Sequence, residues 1–191
     1  MSVAPATPLL VAIDLQEIFA DPESGWWTPR FDEVLEPVDR LVASYPEVVF
    51  TRFVAPARPE GSWVEYYGRW PFALVAEDDP LYRVIDRYDA LDAPRLAAPT
   101  FSKWEVLAPF APAGRILVLC GVATDCCVVS TALSAADAGA RVRVVREACA
   151  GVDDAAHERA LTLMAGYAPL VEIVSLDEAL ALASGAAPEP G

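Results

Sequence analysis

Five short apolar runs, spaced along the whole chain, constrain its fold more than any other feature. They read PLLVAID (8–14), EVVFTRF (47–53), RILVLCG (115–121), RVRVVRE (141–147) and LVEIVSL (170–176). Each is rich in β-branched and aliphatic residues, and each is too short for a helix. Helical spacing fills the gaps between them: FDEVLEPVDRLVASY (31–45), TDCCVVSTALSAADAG (124–139), DDAAHERALTLMAGY (153–167) and DEALALAS (177–184). Strands with continuous rather than alternating apolar residues are buried on both faces. Their alternation with helices predicts right-handed βαβ units around a mostly parallel sheet of Rossmann-like α/β type. At 191 residues the chain predicts one domain (1–191), with an ordered core over 8–184 and a flexible tail over 185–191.

Residues 55–100 break this rhythm with prolines and aromatics. Within them, GSWVEYYGRW places Trp63, Tyr66, Tyr67 and Trp70 on one helix face, with Ser62 as a candidate cap. LYRVIDRY (81–88) hints at further order, and PTFSKW reads as the end of another strand.

The balance of charge narrows the partners. A net charge of −14 argues against nucleic acid or an anionic membrane, both of which need a basic face. A small-molecule substrate is the remaining expectation. The apolar run after MSVAPATP is interrupted by Asp14, so it reads as a strand rather than a signal peptide or a membrane span. Four cysteines without secretory context read as reduced thiols of a cytoplasmic protein. No paired CxxC is present, and the chain has a single histidine, His157, so no metal site and no cofactor is expected.

In an open parallel sheet, ligands bind beyond the carboxyl ends of the strands. Asp14 closes the first run, Lys103 lies within PTFSKW, and the turn GVATDCCV (121–128) carries Cys126 and Cys127 into the first turn of a helix. Free N–H groups there favour a thiolate and predict a lowered thiol pKa. An aspartate in a dry cleft can take a thiol proton, so no histidine base is required. On a helix the two thiols point about 100° apart, and the apolar stripe around them leaves open which one faces the cleft.

Together, AIDLQ with Asp14, FSKW with Lys103, and GVATDCCVVSTALSAADAGARVRVVREACAG (121–151) resemble the isochorismatase-like cysteine hydrolases, relatives of the nicotinamidases and N-carbamoylsarcosine amidases. The resemblance runs from about residue 8 to residue 175. It implies a three-layer α/β/α fold and an Asp–Lys–Cys triad: Asp14 as general base, Lys103 orienting it, and a cysteine as nucleophile. The family pattern T-D-x-C-V falls on Thr124, Asp125, Cys126, Cys127 and Val128, which assigns Cys127. The resemblance further implies a cis peptide at Val122–Ala123, the N–H groups of Ala123 and Cys127 as oxyanion hole, and a homodimer or larger homo-oligomer.

Departures from the family refine the expected activity. Nicotinamidases carry an Asp-x-His pair after the second strand, which with a further histidine holds a metal; here TRFVAPARPEGSW (51–63) contains no histidine. His157 is expected to be structural or solvent-facing. Isochorismatases proper lack the cysteine nucleophile, so Cys127 points to acyl chemistry. The expected reaction is metal-independent cleavage of an amide, ureido or related C–N bond through a Cys127 thioester. The alternatives are isochorismatase-type ether hydrolysis and a non-catalytic or redox-sensing protein using the Cys126–Cys127 pair. Gln16, Phe19, Trp26, Trp27, Trp63 and Tyr67 are candidates to line the pocket, with the aromatic face at 63–70 as either a lid or a packing surface. Arg52 is expected to meet either a substrate carboxylate or a surface partner.

Overall fold

The computed structural model describes residues 7–112 and 114–185. Six parallel strands form one sheet: β1 (Leu9–Ile13), β2 (Val48–Phe53), β3 (Arg95–Ala98), β4 (Ile116–Val122), β5 (Arg141–Ala150) and β6 (Val171–Val174), in the order β3-β2-β1-β4-β5-β6. The helices are α1 (Glu17–Ala20), α2 (Phe31–Ser44), α3 (Ser62–Arg69), α4 (Trp104–Leu107), α5 (Val129–Asp137), α6 (Asp154–Ala165) and α7 (Leu176–Ala183). Helices α2 and α7 pack together on one face, and α5 and α6 on the other. This is the expected three-layer α/β/α arrangement. The expected tail lies, except for Gly185, outside the described residues.

All of β1 is buried, as are Leu117–Val122 of β4 and Val142, Val144 and Val145 of β5. That two-sided burial is why these runs lack a polar alternation. β5 extends to Ala150, three residues beyond the predicted end, and PTFSKW is not itself a strand: β3 lies just before it. Two short 3-10 turns, Pro80–Tyr82 and Asp86–Tyr88, are the order hinted at in LYRVIDRY. The Ser62 side chain does not cap α3, whose N-cap is Gly61.

Strand order reverses between β1 and β4, which creates the crevice where open α/β sheets bind ligands. The two strands meet there without room to spare. Ile13 pairs with Gly121, whose φ is +108°. A Cβ on Gly121 would lie 2.1 Å from the Ile13 carbonyl oxygen. Main chain cannot swing away as a flexible side chain can, so Gly121→Ala is expected to cost about 3–5 kcal/mol, near the upper end for single substitutions. Urea unfolding checks this, and a midpoint equal to that of the unsubstituted protein would contradict it.

Candidate active site

Asp14 leaves β1 in the left-handed region, at φ +53°, a conformation that costs a non-glycine residue on the order of 1–3 kcal/mol. Its surroundings hold it there. The Asp14 N–H donates to the Thr51 carbonyl at 3.2 Å, and its own carbonyl accepts from Gln16 N–H at 2.8 Å. Thr51 Oγ1 donates to Asp14 Oδ1 at 2.8 Å. Lys103 Nζ lies 3.0 Å from Asp14 Oδ2, and both side chains have no exposure. That ammonium also donates to the Thr100 carbonyl at 2.9 Å and sits 4.6 Å from the centre of the Phe53 ring. Oδ2 makes the ionic contact off the hydrogen-bond line and has no hydrogen-bond partner among the described residues, so it retains accepting capacity.

The other half of the site follows β4. The Val122–Ala123 peptide is cis. Thr124–Val128 then form one turn of π-helix that runs into α5, a local irregularity often found at functional sites. The Ala123 carbonyl accepts N–H groups from Cys126 and Val128, passing over Cys127. Thr131, one helical turn beyond Cys127, ties the two halves together: Lys103 N–H donates to Thr131 Oγ1 at 2.9 Å, and that hydroxyl donates to the Cys127 carbonyl at 2.7 Å. Thr131 went unrecognised in the sequence, although its i+4 spacing from Cys127 was the available signal.

Both thiols border a cavity of about 410 Å³. Cys127 is buried at its floor, and Cys126 is half-buried. Contact with Cys126, burial and the Asp14 carboxylate together push the Cys127 thiol well above its ordinary pKa, with Lys103 opposing. The helix start was expected to lower a thiol pKa: the Cys126 thiol does lie below its ordinary value, chiefly through contact with Cys127, whereas at Cys127 contact with Cys126, desolvation and a neighbouring negative charge act upward. Among charged residues, Asp14 acts most strongly on Cys127, whereas Asp125 does so on Cys126. Cys120 and Cys149 are buried away from this cavity, and burial pushes the Cys149 thiol up to about 12.

Of the other candidates, Phe19 and Trp26 line the cavity, with Trp27 at its half-exposed edge. Four depart from expectation. Gln16 does not face the cavity: its buried amide donates to the Phe53 and Tyr82 carbonyls and accepts from Phe53 N–H, cross-linking three segments. Arg52 is turned away and pairs with Glu77 at 2.8 Å, which matches the ion-pair alternative. Trp63 and Tyr67 pack behind the wall, against Phe101 and Tyr66. Only Tyr66 and Trp70 of the predicted aromatic face reach the cavity. Phe53, Phe101 and Thr28 also border it, with Gly25, Ala123 and Val152; Phe53 ends a strand that is legible in the sequence, but which space its ring faces is not.

The metal site of the nicotinamidases has no counterpart in these residues. Arg52, already cationic, stands where the ligand run would begin, and among the described residues no three His, Cys, Asp or Glu side chains converge. His157 is buried rather than solvent-facing; its Nδ1 meets Thr124 Oγ1 at 2.9 Å, bracing the π turn. Burial pushes its pKa below the ordinary value, with Arg146 and Arg30 adding to this and Glu158 and Asp154 opposing. As pH falls through about 6.5, the unfolded chain therefore takes up a proton before the folded one, and stability falls. The urea midpoint is expected to be lower at pH 5.5 than at pH 8, and His157→Gln to flatten that difference. The Glu158 and Glu178 carboxyls, held below the ordinary range by Arg146 and Ser175, titrate below this window. An undiminished pH dependence in His157→Gln would refute the assignment.

A doubly wound parallel sheet, with a carboxylate–ammonium pair close to a thiol-lined cavity at its switch point, defines the class: a Rossmann-like three-layer α/β/α fold with its site at the ligand crevice of the sheet. The sequence profile of the isochorismatase domain matches residues 8–178, and the chain belongs to the isochorismatase family. A cysteine hydrolase from Pseudomonas syringae pv. phaseolicola superposes with a TM-score of 0.82 at 18% identity, covering 98% of this chain and 97% of that one. The pyrazinamidase of Pyrococcus horikoshii, solved in complex with zinc, gives 0.71 at 23% identity, covering 88% and 99%. The nicotinamidase of Bacillus subtilis gives 0.66 at 16%, covering 86% and 98%. At such identities the likeness is one of fold. No curated protein sequence matches the chain significantly.

Proposed function

We propose that the protein is a metal-independent cysteine hydrolase that cleaves the C–N bond of a small amide or ureido compound. The observation that carries this reading is the fully buried Asp14–Lys103 pair, 3.0 Å apart, set behind the Phe53 ring of the cavity wall and acting electrostatically on Cys127, which borders that cavity. A buried ion pair is costly to build and earns little net stability, so its position at a ligand crevice favours a chemical role.

Asp14 Oδ2, with accepting capacity to spare, takes the Cys127 proton as sulfur attacks the carbonyl carbon. The raised thiol pKa suits this order of events: the sulfur keeps its proton until substrate arrives. The tetrahedral oxyanion would be met by the Ala123 and Cys127 N–H groups. The C–N bond breaks, the leaving nitrogen takes the proton from Asp14, and a Cys127 thioester remains. Water, deprotonated by Asp14, then releases the acid and restores the thiol. Lys103, 3.0 Å from Asp14 Oδ2, holds the carboxyl group in place through each proton transfer.

Intact-protein mass spectrometry after incubation with a panel of amides and ureido compounds tests the reading. The expected result is an acyl adduct on Cys127, discharged by hydroxylamine. An adduct on Cys126, or turnover with no acyl intermediate, would count against it.

A further inference from the structure

The walls of the cavity are built almost without charge. Aromatic rings supply most of the lining: Trp26 sits at its centre, with the rings of Phe19, Phe53, Tyr66 and Trp70 between 5.4 and 6.4 Å from it. Apart from the two thiols and the Tyr66 phenol, no ionisable side chain borders the space. Burial and the neighbouring cysteines push the Tyr66 phenol up, so it stays neutral. The nearest cation, Lys103, is occupied by Asp14 and the Thr100 carbonyl. Arg52 does not border the cavity, and Glu77 holds its guanidinium.

One polar group in this wall has nothing to do. Thr28 is 1% exposed and borders the cavity. Its main chain is committed on both sides, with its N–H donating to the Phe19 carbonyl and its carbonyl accepting from Phe31 N–H, each at 2.9 Å. Its buried hydroxyl has no partner among the described residues. A buried hydroxyl without a partner carries a desolvation cost that a bound group can relieve.

Size adds a third constraint. A cavity of about 410 Å³ lies within the roughly 300–1,000 Å³ range of small-molecule sites, with room for more than a single ring and its amide. A substrate carboxylate would lose its water with no cation to replace it, against the field of a chain with net charge −14.

Resting on the hydrolase reading above, we propose that the substrate is a carboxamide without negative charge, with an apolar body larger than one ring and one hydrogen-bonding heteroatom, and that the Thr28 hydroxyl recognises that heteroatom. Thr28 is then a specificity residue, not part of the chemistry.

Calorimetric binding to the Cys127→Ala protein tests this without requiring turnover. The probes are 2-naphthamide, the quinolinecarboxamide isomers, 6-carboxy-2-naphthamide and its 6-trimethylammonio counterpart. The carboxylate is expected to bind at least roughly 30-fold more weakly than 2-naphthamide, whereas the quaternary ammonium, met by aromatic faces, is expected to bind no more weakly than the carboxylate. Adding Thr28→Val is expected to weaken at least one quinoline isomer by about 5–10-fold, and to leave 2-naphthamide unchanged or tighter. Thr28→Ser is expected to restore the loss. A structural hydroxyl would instead lower the melting temperature when removed, whereas Thr28→Val is expected to melt no lower than its parent. Binding of the carboxylate probe equal to that of 2-naphthamide, or quinoline affinities indifferent to Thr28→Val, would overturn the proposal. If acylation of Cys127 is seen while these preferences are absent, the substrate class alone fails. If the preferences hold and Cys127 is never acylated, the hydrolase reading fails instead.

Discussion

Replacing Cys127 by alanine is expected to lower the rate of amide hydrolysis by roughly 10⁴-fold or more, the scale on which nucleophile deletions act. Cys126→Ala is expected to stay within a few-fold of the unsubstituted rate. The two residues are neighbours on one turn, both border the cavity, and Cys126 is the more exposed. An accessibility argument alone would choose Cys126. What separates them is the charge each one meets: Asp14 acts most strongly on Cys127, and Asp125 on Cys126. Contact with Cys126 also helps to hold the Cys127 thiol pKa up. The limb of the pH–rate profile that reports thiol ionisation should therefore move to lower pH in Cys126→Ala. Steady-state kinetics of both variants give the answer. Hydrolysis that survives Cys127→Ala but vanishes with Asp14→Ala would indicate direct activation of water, as isochorismatase-type ether cleavage would require.

Lys103→Met is expected to lower both activity and stability. It leaves the Asp14 carboxylate buried with its cation gone, a loss of about 3–5 kcal/mol. For a chain of this size that corresponds to a drop in melting temperature on the order of 10 °C. Asp14→Asn strands the ammonium in the same way. The double variant Asp14→Asn/Lys103→Met removes both charges and should melt well above either single variant while remaining inactive. Recovery of stability without recovery of turnover would separate the electrostatic cost of the pair from its chemical use. Thermal unfolding followed by circular dichroism reads the first quantity, and amide turnover the second. A Lys103→Met protein that melts with the unsubstituted chain would show that the two groups are not coupled as their 3.0 Å separation implies.

Much of the sheet was legible before any coordinates. The runs that became β1, β2, β4, β5 and β6 are continuous apolar segments because a parallel sheet covered on both faces buries every residue along a strand, wherever the partner strand lies. Helices α2 and α6 were equally plain from their spacing. The strand β3, RLAA, was not, because three half-buried residues and one buried alanine at a sheet edge carry almost no pattern. Asp14 and Lys103 were found as charges at the ends of predicted elements, but only resemblance to a family joined them to a thiol.

The walls of the cavity were the least legible part. Phe19 and Trp26 were anticipated, while Gln16, Arg52, Trp63 and Tyr67 were assigned to a lining they do not join. Gln16 saturates carbonyls of β2 and the Pro80–Tyr82 turn, and Arg52 finds Glu77, partners that no local rule could supply. Thr28 and Thr131 were missed because a threonine in a loop or on a helix means nothing until its hydroxyl is seen to be unpartnered or bridging. The sequence alone thus determined the layered parallel architecture and the chemistry available at its strand ends, since both follow from burial along short contiguous segments. Only the tertiary structure decided which groups meet at the switch point and which of them face the substrate. Those contacts join residues dozens of positions apart, and their geometry is set by how the whole sheet twists and packs.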